Sequence, residues 1–450
     1  MGKLSRFLLA LQLCVAPFLL GSNRAVFWSL NALLAAMALL AFVLAEYKNA
    51  KRSRADWALP FQILLLLALP GLWMVFQLVP EVPQLLAHPV WAHVPGSSPA
   101  ITLNPHQTAL ALMWWLTLGI IFVAIRAATR RDGVIWYLHL MMIVILCVAV
   151  FGLTTLYLGL ETLGITAKQQ YSGWLTGPFV NRNTAASFLM IGLTIAVVLG
   201  LDAYYTLQDN LRGASAAARL FLVLCSKVSV YAGVAVVIFV ASLLTGSRAG
   251  LASSLLSLLV VFLLCTHKGK RRMSKVWLVT IIASLGLMAV TSNALLKRSE
   301  DGAASSNVRL ELYHEAVRAI AARPMLGHGG GTYQTVEPLY RQPESGTKYI
   351  WNHAHNSYLE AAATMGLPVI IVWLALFAVV LARLFQAQRV SEKLPKATVV
   401  VLAISLSEGL HALVDFSLQI QAIALYATCL LGLSVGEIMS SQKNTQYSIA

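Results

Sequence analysis

Two arginines near a histidine-rich segment are the residues of this sequence best suited to phosphate chemistry. Arg182 lies in 177–183 (GPFVNRN) and Arg248 in 245–250 (TGSRAG), and neither has an Asp or Glu within ten positions. A guanidinium group binds two phosphate oxygens at once, which a lysine ammonium does less well. A single arginine of this kind more often reaches to lipid headgroups. Two of them, beside several histidines, indicate an anion site.

The histidines of the segment 297–355 favour acid–base chemistry over metal binding. His353 and His355 lie in the sequence WNHAHNSY, and histidine is the usual general base near neutral pH. Zinc needs three or four ligands, and the other two histidines of the segment, His314 and His328, stand at no recognised zinc spacing. We therefore predict no metal site.

The glycine run GHGGG at 327–331 raises the question of a nucleotide site. A phosphate-binding loop would continue with Lys and Ser or Thr, and it would connect a strand to a helix. The run has neither feature, so we interpret it as a flexible hinge. We predict no nucleotide and no other cofactor.

The composition places these residues in a membrane protein. Of 450 residues, 58% are hydrophobic and 11% are charged, against about 25% charged in an average soluble domain. Such a chain is neither a soluble enzyme nor disordered, because disorder needs low hydrophobicity and high charge. The net charge of +15 then indicates basic loops on one side of a membrane and no nucleic-acid partner.

Apolar runs of about 20 residues, the length that crosses a bilayer as a helix, recur along the chain. We predict an all-α, polytopic membrane protein with about twelve transmembrane helices. The predicted spans are 7–20, 25–45, 58–79, 107–125, 134–160, 183–201, 220–244, 250–265, 276–296, 356–382, 397–417 and 419–436. Alternate connecting segments hold 21 Lys and Arg, whereas the short opposite loops hold four. Both termini are therefore predicted to face the cytoplasm.

Two segments on the opposite, outer side are longer than simple connectors. The segment 80–106 contains no Lys or Arg, and we predict that it caps the outer face. The segment 297–355 should contain a helix over 308–323, which Asn307 caps and Pro324 ends. The chain thus divides into the N-terminal spans 1–106, the central spans 107–296, the outer loop 297–355 and the C-terminal spans 356–450.

Several motifs together resemble the O-antigen ligase/polymerase superfamily. Besides GPFVNRN and TGSRAG, they are RPMLGHG at 323–329 and HNSYLE at 355–360, followed by Gly366. In this order and with a long outer loop they are fairly specific, and the similarity covers 101–421. The resemblance implies a GT-C-like helical bundle in the bacterial inner membrane. Its members move a glycan from a polyprenyl (undecaprenyl) diphosphate to an acceptor at the periplasmic face.

The resemblance also implies roles for individual residues. The residues at the positions of the catalytic arginines and histidine are Arg248, Arg309 and His355. The residues expected to contact the substrate are Arg182, His353, Asn356, Tyr358 and Glu360. The implied reaction is a direct displacement with inversion, in which arginines stabilise the leaving diphosphate and the histidine accepts the proton of the acceptor hydroxyl. No metal ion and no covalent enzyme intermediate are expected.

The sequence does not identify the acceptor of the glycan. It is lipid A-core for an O-antigen ligase, a lipid-linked repeat unit for a polymerase of surface polysaccharide or exopolysaccharide, and a protein for an O-oligosaccharyltransferase. The sequence ITLNP at 101–105, with Thr108, slightly favours the polymerase.

A transporter or flippase of lipid-linked glycans is the competing class of protein. Glu408, His411 and Asp415 are spaced to share one face of the predicted span 397–417, where ionisable groups are costly and often functional. They could relay protons, but we favour a hydrogen-bonded network between helices. The long outer loop, the Arg and His residues at one face and the lack of visible repeats argue against a transporter.

Overall fold

A computed structural model describes residues 2–47, 61–208, 211, 213, 215–266, 299–342, 351–391 and 394–449. Over these residues the regular secondary structure is helical, with one isolated β-bridge. The α-helices are α1 (Gly2–Phe18), α2 (Ala25–Tyr47), α3 (Phe61–Leu78), α4 (Pro105–Asp132), α5 (Val134–Tyr157), α6 (Arg182–Leu207), α7 (Ala216–Leu224), α8 (Lys227–Leu244), α9 (Arg248–Thr266), α10 (Ser299–Ala322), α11 (Tyr333–Tyr340), α12 (Ser357–Met365), α13 (Leu367–Val390), α14 (Lys396–His411) and α15 (Gln421–Ile449). The prediction of an all-α protein is confirmed for this part of the chain.

Among the described residues, nine helices are long and apolar enough to cross a membrane, namely α2 to α6, α8, α9, α13 and α15. The protein is therefore a multi-pass membrane protein. Helices α1 and α14 coincide with two further predicted spans, but they have only 17 and 16 residues. The predicted span 276–296 lies outside the described residues, as does the beginning of span 58–79. The number twelve therefore stays a prediction.

Two predicted spans are interrupted in the structure. The span 356–382 consists of α12 and α13, because Gly366 adopts a φ of +84° between them. A side chain at Gly366 would also collide with the carbonyl oxygen of Met325. The span 220–244 is interrupted before Ser226, whose hydroxyl accepts a hydrogen bond from the first turn of α8. Both breaks replace one expected helix by a short helix followed by a spanning one.

Helix α14 ends earlier than predicted, at His411 instead of 417. The N–H of Ala412 closes its last turn by donating to the carbonyl of Glu408 at 2.8 Å. The placement of Asp415 within a span was therefore wrong. Asp415 lies in the loop between α14 and α15, where its buried side chain contacts Asn183 at the start of α6.

The helix predicted over 308–323 begins earlier than expected. It is α10, which starts at Ser299, so Asn307 lies inside the helix and the prediction that it caps the helix was wrong. The predicted end is confirmed, since α10 stops at Ala322, ahead of Pro324.

Basic segments that the charge pattern assigned to the cytoplasm meet at one end of the bundle. Asp132, at the end of α4, has carboxylate oxygens 2.8 Å from a guanidinium nitrogen of Arg131 and 3.7 Å from one of Arg6. The Lys396 ammonium, at the start of α14, lies 3.3 Å from the Asp202 carboxylate of α6. We call this the basic end of the bundle, and the opposite one the site end.

Helix α6 is the most enclosed of the spanning helices and packs tightly against α9. Gly250, in the first turn of α9, lies so close to Ala186 of α6 that a side chain there would overlap the alanine methyl group. Small residues allow such close packing between membrane helices. Because α6 begins at Arg182 and α9 at Arg248, two helix N-termini that each carry an arginine lie side by side at the site end.

Candidate functional site

The start of α12 determines where His355 lies. The Asn356 side-chain oxygen caps this helix, accepting hydrogen bonds from the N–H groups of Tyr358 and Leu359, both at 3.0 Å. His355 itself has a φ of +53°, a conformation that is uncommon for residues other than glycine. Its carbonyl accepts a hydrogen bond from the Tyr313 hydroxyl of α10 at 3.1 Å. The backbone on both sides of the imidazole is thus fixed by hydrogen bonds.

Glu360 holds the neighbouring His353. One carboxylate oxygen lies 3.1 Å from His353 Nδ1, and the other accepts the N–H of Ala354 at 2.9 Å. The His353 ring stacks on Phe416 with centroids 4.4 Å apart, and the His355 ring meets the same phenyl edge-on at 4.9 Å. Glu360 therefore holds His353, and Phe416 contacts the rings of both histidines.

His355 is in a state in which it can accept a proton. The pKa of His355 is lowered to about 4, mainly by burial; the positive charge of Arg309 contributes to the lowering, and the Asp415 carboxylate opposes it. Its Nδ1 atom is buried and has no hydrogen-bond partner among the described residues. A neutral imidazole with an unused nitrogen can serve as a general base.

Asp415 is the charged residue near His355 that sequence reasoning placed elsewhere. Its side chain is fully buried and accepts hydrogen bonds from the Asn183 amide at 3.1 Å and from the Ser417 hydroxyl. The same loop is fastened to α12, because the Ser357 hydroxyl donates to the carbonyl of Asp415 at 3.1 Å. The sequence did contain a signal for Asp415, which is an acidic residue near the end of a predicted span. If the helix stops before such a residue, the residue lies in the following loop, close to the site.

Arg309 lies on α10 at the same site. It is one helical turn before Tyr313, so the two side chains share a face of the helix. Its charge lowers the pKa values of Tyr313 and Tyr171, against the larger upward effect of burial on both phenols. The positive charge of Arg309 also lowers the pKa of His355.

Tyr171 and Trp174 connect this group to the paired helix N-termini. The Arg182 guanidinium carbon lies 5.5 Å from the Tyr171 ring centroid and 5.3 Å from that of Trp174. Trp174 also packs against Gly246, which has a φ of +63° in the turn before Arg248. Helix N-termini attract anions through free N–H groups and the helix dipole. The two arginines therefore add positive charge at an end of the bundle where two helix dipoles are already positive.

All eight predicted site residues lie at the site end, but two of them also support the fold. The Asn356 oxygen is used by the helix cap, and the Tyr358 hydroxyl donates to the carbonyl of Gly409 at 2.7 Å. The latter bond joins α12 to α14. Substrate contacts by these two residues remain predictions.

A buried polar group lies deeper in the bundle. Ser187 of α6 hydrogen-bonds to His411 Nδ1 at 2.8 Å, and a Glu408 carboxylate oxygen lies 3.9 Å from the same nitrogen. His411 Nε2 and both Glu408 oxygens are buried without a hydrogen-bond partner among the described residues. The Ser187–His411 bond is the kind of link between helices that we favoured from the sequence.

Sequence reasoning missed a contact between two histidines. His88, which precedes a short 3-10 helix at Pro89–His93, has its Nε2 atom 2.8 Å from Nδ1 of His328. Burial lowers the pKa of His88 to about 3 and that of His328 to about 4. In the described part of the chain no three His, Cys, Asp or Glu residues come together in a way that could hold a metal ion.

Comparison with known families points to the same class as the motifs. Residues 233–374 match the Wzy_C family model, described as O-antigen ligase, which confirms the resemblance to the O-antigen ligase-like superfamily. The matched part includes Arg248, Arg309 and His355 but not Arg182. No protein in the set of curated proteins matches the chain. The family indicates glycan transfer of the O-antigen ligase or polymerase type by a membrane protein.

Proposed function

We propose that this protein of the O-antigen ligase-like superfamily transfers a glycan from a polyprenyl diphosphate to an acceptor hydroxyl at the periplasmic face of the inner membrane. The observation that carries the proposal is the neutral, partly unpartnered His355 beside Arg309, within the residues that match the O-antigen ligase family. Arg182 and Arg248, at two adjacent helix N-termini, belong to the same end of the bundle.

The donor diphosphate would be bound by the cationic groups of this end. As the bond between the anomeric carbon and the phosphate oxygen breaks, the electron pair and the negative charge move onto the diphosphate. We expect Arg182, Arg248, Arg309 and the two helix N-termini to stabilise that charge. The polyprenyl chain would lie in the bilayer beside the spanning helices.

His355 would act on the acceptor. It takes the hydroxyl proton while the acceptor oxygen forms its bond to the anomeric carbon, and a single displacement of this kind inverts the anomeric configuration. The pKa of about 4 makes the imidazole a weak base before the donor binds. A bound diphosphate would raise this pKa, because a nearby negative charge favours the protonated form. Donor binding would thus make the base stronger.

The orientation follows from the charges at the basic end. Arg6, Arg131 and Lys396 lie there, and basic segments next to spans stay preferentially on the cytoplasmic side. The site end would then face the periplasm, where lipid-linked glycans are assembled into surface polysaccharides.

Reconstitution with defined substrates tests the proposal. The purified protein in nanodiscs is incubated with a polyprenyl-diphosphate glycan and with lipid A-core, a second lipid-linked repeat unit or an acceptor protein. We expect an inverted glycosidic product with one acceptor class, formed in the presence of a chelator and without an ion gradient. Glycan transfer that needs a divalent metal would overturn the mechanism, and the absence of product with all three acceptor classes would overturn the function.

A flippase is the second candidate because Glu408 and His411 are buried with unpartnered polar atoms. The same purified protein, reconstituted in sealed lipid vesicles instead of nanodiscs, distinguishes the two functions. Movement of the lipid-linked glycan across the vesicle membrane without any transfer product would favour the flippase.

A further inference from the structure

A cavity of about 940 Å³ lies between the segment that joins α3 to α4 and the end of α10. We call the segment 79–104 the α3–α4 segment. Residues within 82–99 form one wall of the cavity, and 322–326 form the other. None of the groups around His355 lines it, and the α3–α4 segment lies outside the residues that match the O-antigen ligase family.

Hydrogen bonds hold the two walls together. The Arg323 guanidinium donates to the carbonyls of Leu86 and Ala87 at 2.8 and 2.9 Å. Behind this contact, the buried rings of His88 and His328 are joined by the 2.8 Å hydrogen bond. The cavity is therefore formed by the fold itself and needs no ligand to hold it open.

The lining combines ring surfaces with exposed hydrogen-bonding groups. The Trp91 indole N–H donates to the carbonyl of Thr102 at 3.1 Å, which fixes the ring, and Pro89 lines the cavity beside it. Gln84 and His93 line the same cavity with exposed side chains. Binding sites with apolar rings and a few polar groups suit ligands that have both kinds of surface. Sugar rings are such ligands, because their C–H faces pack on aromatic rings while their hydroxyls form hydrogen bonds.

The charges of the cavity argue against an anionic ligand. The α3–α4 segment contains no Lys or Arg and one acidic residue, Glu81. Of the residues that line the cavity, Arg323 is the one with a formal charge, and its two terminal nitrogens already donate to backbone carbonyls. Phosphate groups need several charge-assisted donors, which these walls do not supply.

The cavity is separated from the reaction centre by the length of a helix. Arg309 lies within α10, and Arg323 directly follows its end, 14 positions later. At the rise of an α-helix, this separation corresponds to about 21 Å. We propose that the cavity binds uncharged sugar residues of the glycan, several residues away from the bond that is formed at His355. This rests on the proposed function, since it assumes a glycan substrate whose reacting end lies at His355.

Direct binding tests the site without requiring turnover. The probe is the oligosaccharide released by mild acid from the lipid-linked donor, titrated into the full chain in nanodiscs by calorimetry, in a His355→Ala background. We expect saturable binding, about fivefold weaker for Gln84→Ala and for His93→Ala, since a neutral hydrogen bond contributes about 1 kcal/mol. Trp91→Ala should weaken it about tenfold or more. His106→Ala, an exposed histidine outside the cavity, is the matched control and should bind as the background does.

Three outcomes would overturn the proposal. They are the absence of saturable binding, binding that Gln84→Ala and His93→Ala both leave unchanged, and binding that His106→Ala weakens equally. Since Gln84 and His93 are exposed, these variants remain informative if Trp91→Ala fails to fold.

Transfer assays then identify the source of the sugars. With His355 intact, lengthening the glycan of the donor at constant acceptor should lower the KM for the donor if the cavity takes donor sugars. Lengthening the acceptor should lower the KM for the acceptor if it takes acceptor sugars. If neither KM depends on length, the cavity proposal fails while transfer itself, and with it the proposed function, still stands.

Discussion

Protonation of His355 should limit glycan transfer at acidic pH, at a pH that depends on whether the donor is bound. In the free protein the pKa of His355 is lowered to about 4. Relative to an ordinary histidine near 6.5, this corresponds to a penalty on the order of 3 kcal/mol against the protonated imidazole. The group is neutral above its pKa, so activity is present there and is lost as the pH falls through that value.

The pH dependence of kcat/KM reports the free protein, and that of kcat reports the complex with substrate. We therefore expect kcat/KM to stay level from pH 8 to about 5 and to fall towards pH 4. The acidic limb of kcat should lie at higher pH, because the bound diphosphate raises the pKa of His355. Both phosphates of the donor are substituted, so neither contributes an ionisation near neutral pH. The assay is initial-rate transfer in nanodiscs, with recovery of activity at pH 7 as the control for damage by acid.

Two variants should move the acidic limb of kcat/KM in opposite directions. Arg309→Gln removes a positive charge that lowers the pKa of His355, so the limb should move to higher pH. Asp415→Asn removes a negative charge that raises the pKa, so the limb should move to lower pH. Arg309→Lys keeps the charge and is the matched control for the first variant. A kcat/KM limb at pH 6.5 in the wild type, or shifts of the same sign in both variants, would refute the reasoning.

Two further substitutions test the structure around the site. Gly246→Ala places a methyl group against the Trp174 ring at a φ of +63°, so we expect a lower melting temperature, since a left-handed residue alone costs roughly 1–2 kcal/mol. Because the turn at Gly246 positions Arg248, we also expect transfer to slow by at least about tenfold. Gly233→Ala, which has open space around the new methyl group, should show neither effect. The His88–His328 pair should destabilise the fold in acid, because both pKa values are lowered on folding. Its contribution to stability is complete above pH 6.5 and is lost as the pH falls towards 3. The loss reaches about 2.7 kcal/mol per pH unit where both histidines are protonated in the unfolded chain and neutral in the folded one. Thermal unfolding from pH 7 to 4 measures this, and a His88→Asn variant with the same pH dependence as the wild type would contradict it.

Local patterns in the sequence predicted most of the helices but not their interruptions. Hydrophobic length identifies a span because a bilayer core demands a minimum number of apolar residues. It does not detect Gly366, whose positive φ divides an apolar run into α12 and α13. Nor does it detect that α14 stops at His411 and leaves Asp415 in a loop. In both cases the tertiary contacts of a few backbone groups determine where the helix ends.

The site shows the same division between local and distant information. Arg182, Arg248 and His355 could be found because their motifs are short and continuous in the sequence. The contact of Asp415 with Asn183 joins residues that are far apart along the chain, and so does the contact of His88 with His328. Such pairs depend on how the helices pack, which no single segment specifies.

The positive charge of the site end has two consequences that act on the same step. Burial and, to a smaller extent, the charge of Arg309 lower the pKa of His355, so in the absence of a donor the base is weak and an adventitious hydroxyl is poorly activated. The diphosphate that the arginines would bind offsets their charge, and its arrival raises the pKa of the imidazole towards the working pH. The residues that bind the leaving group would therefore also control the base, so that proton acceptance becomes favourable only when the donor is in place.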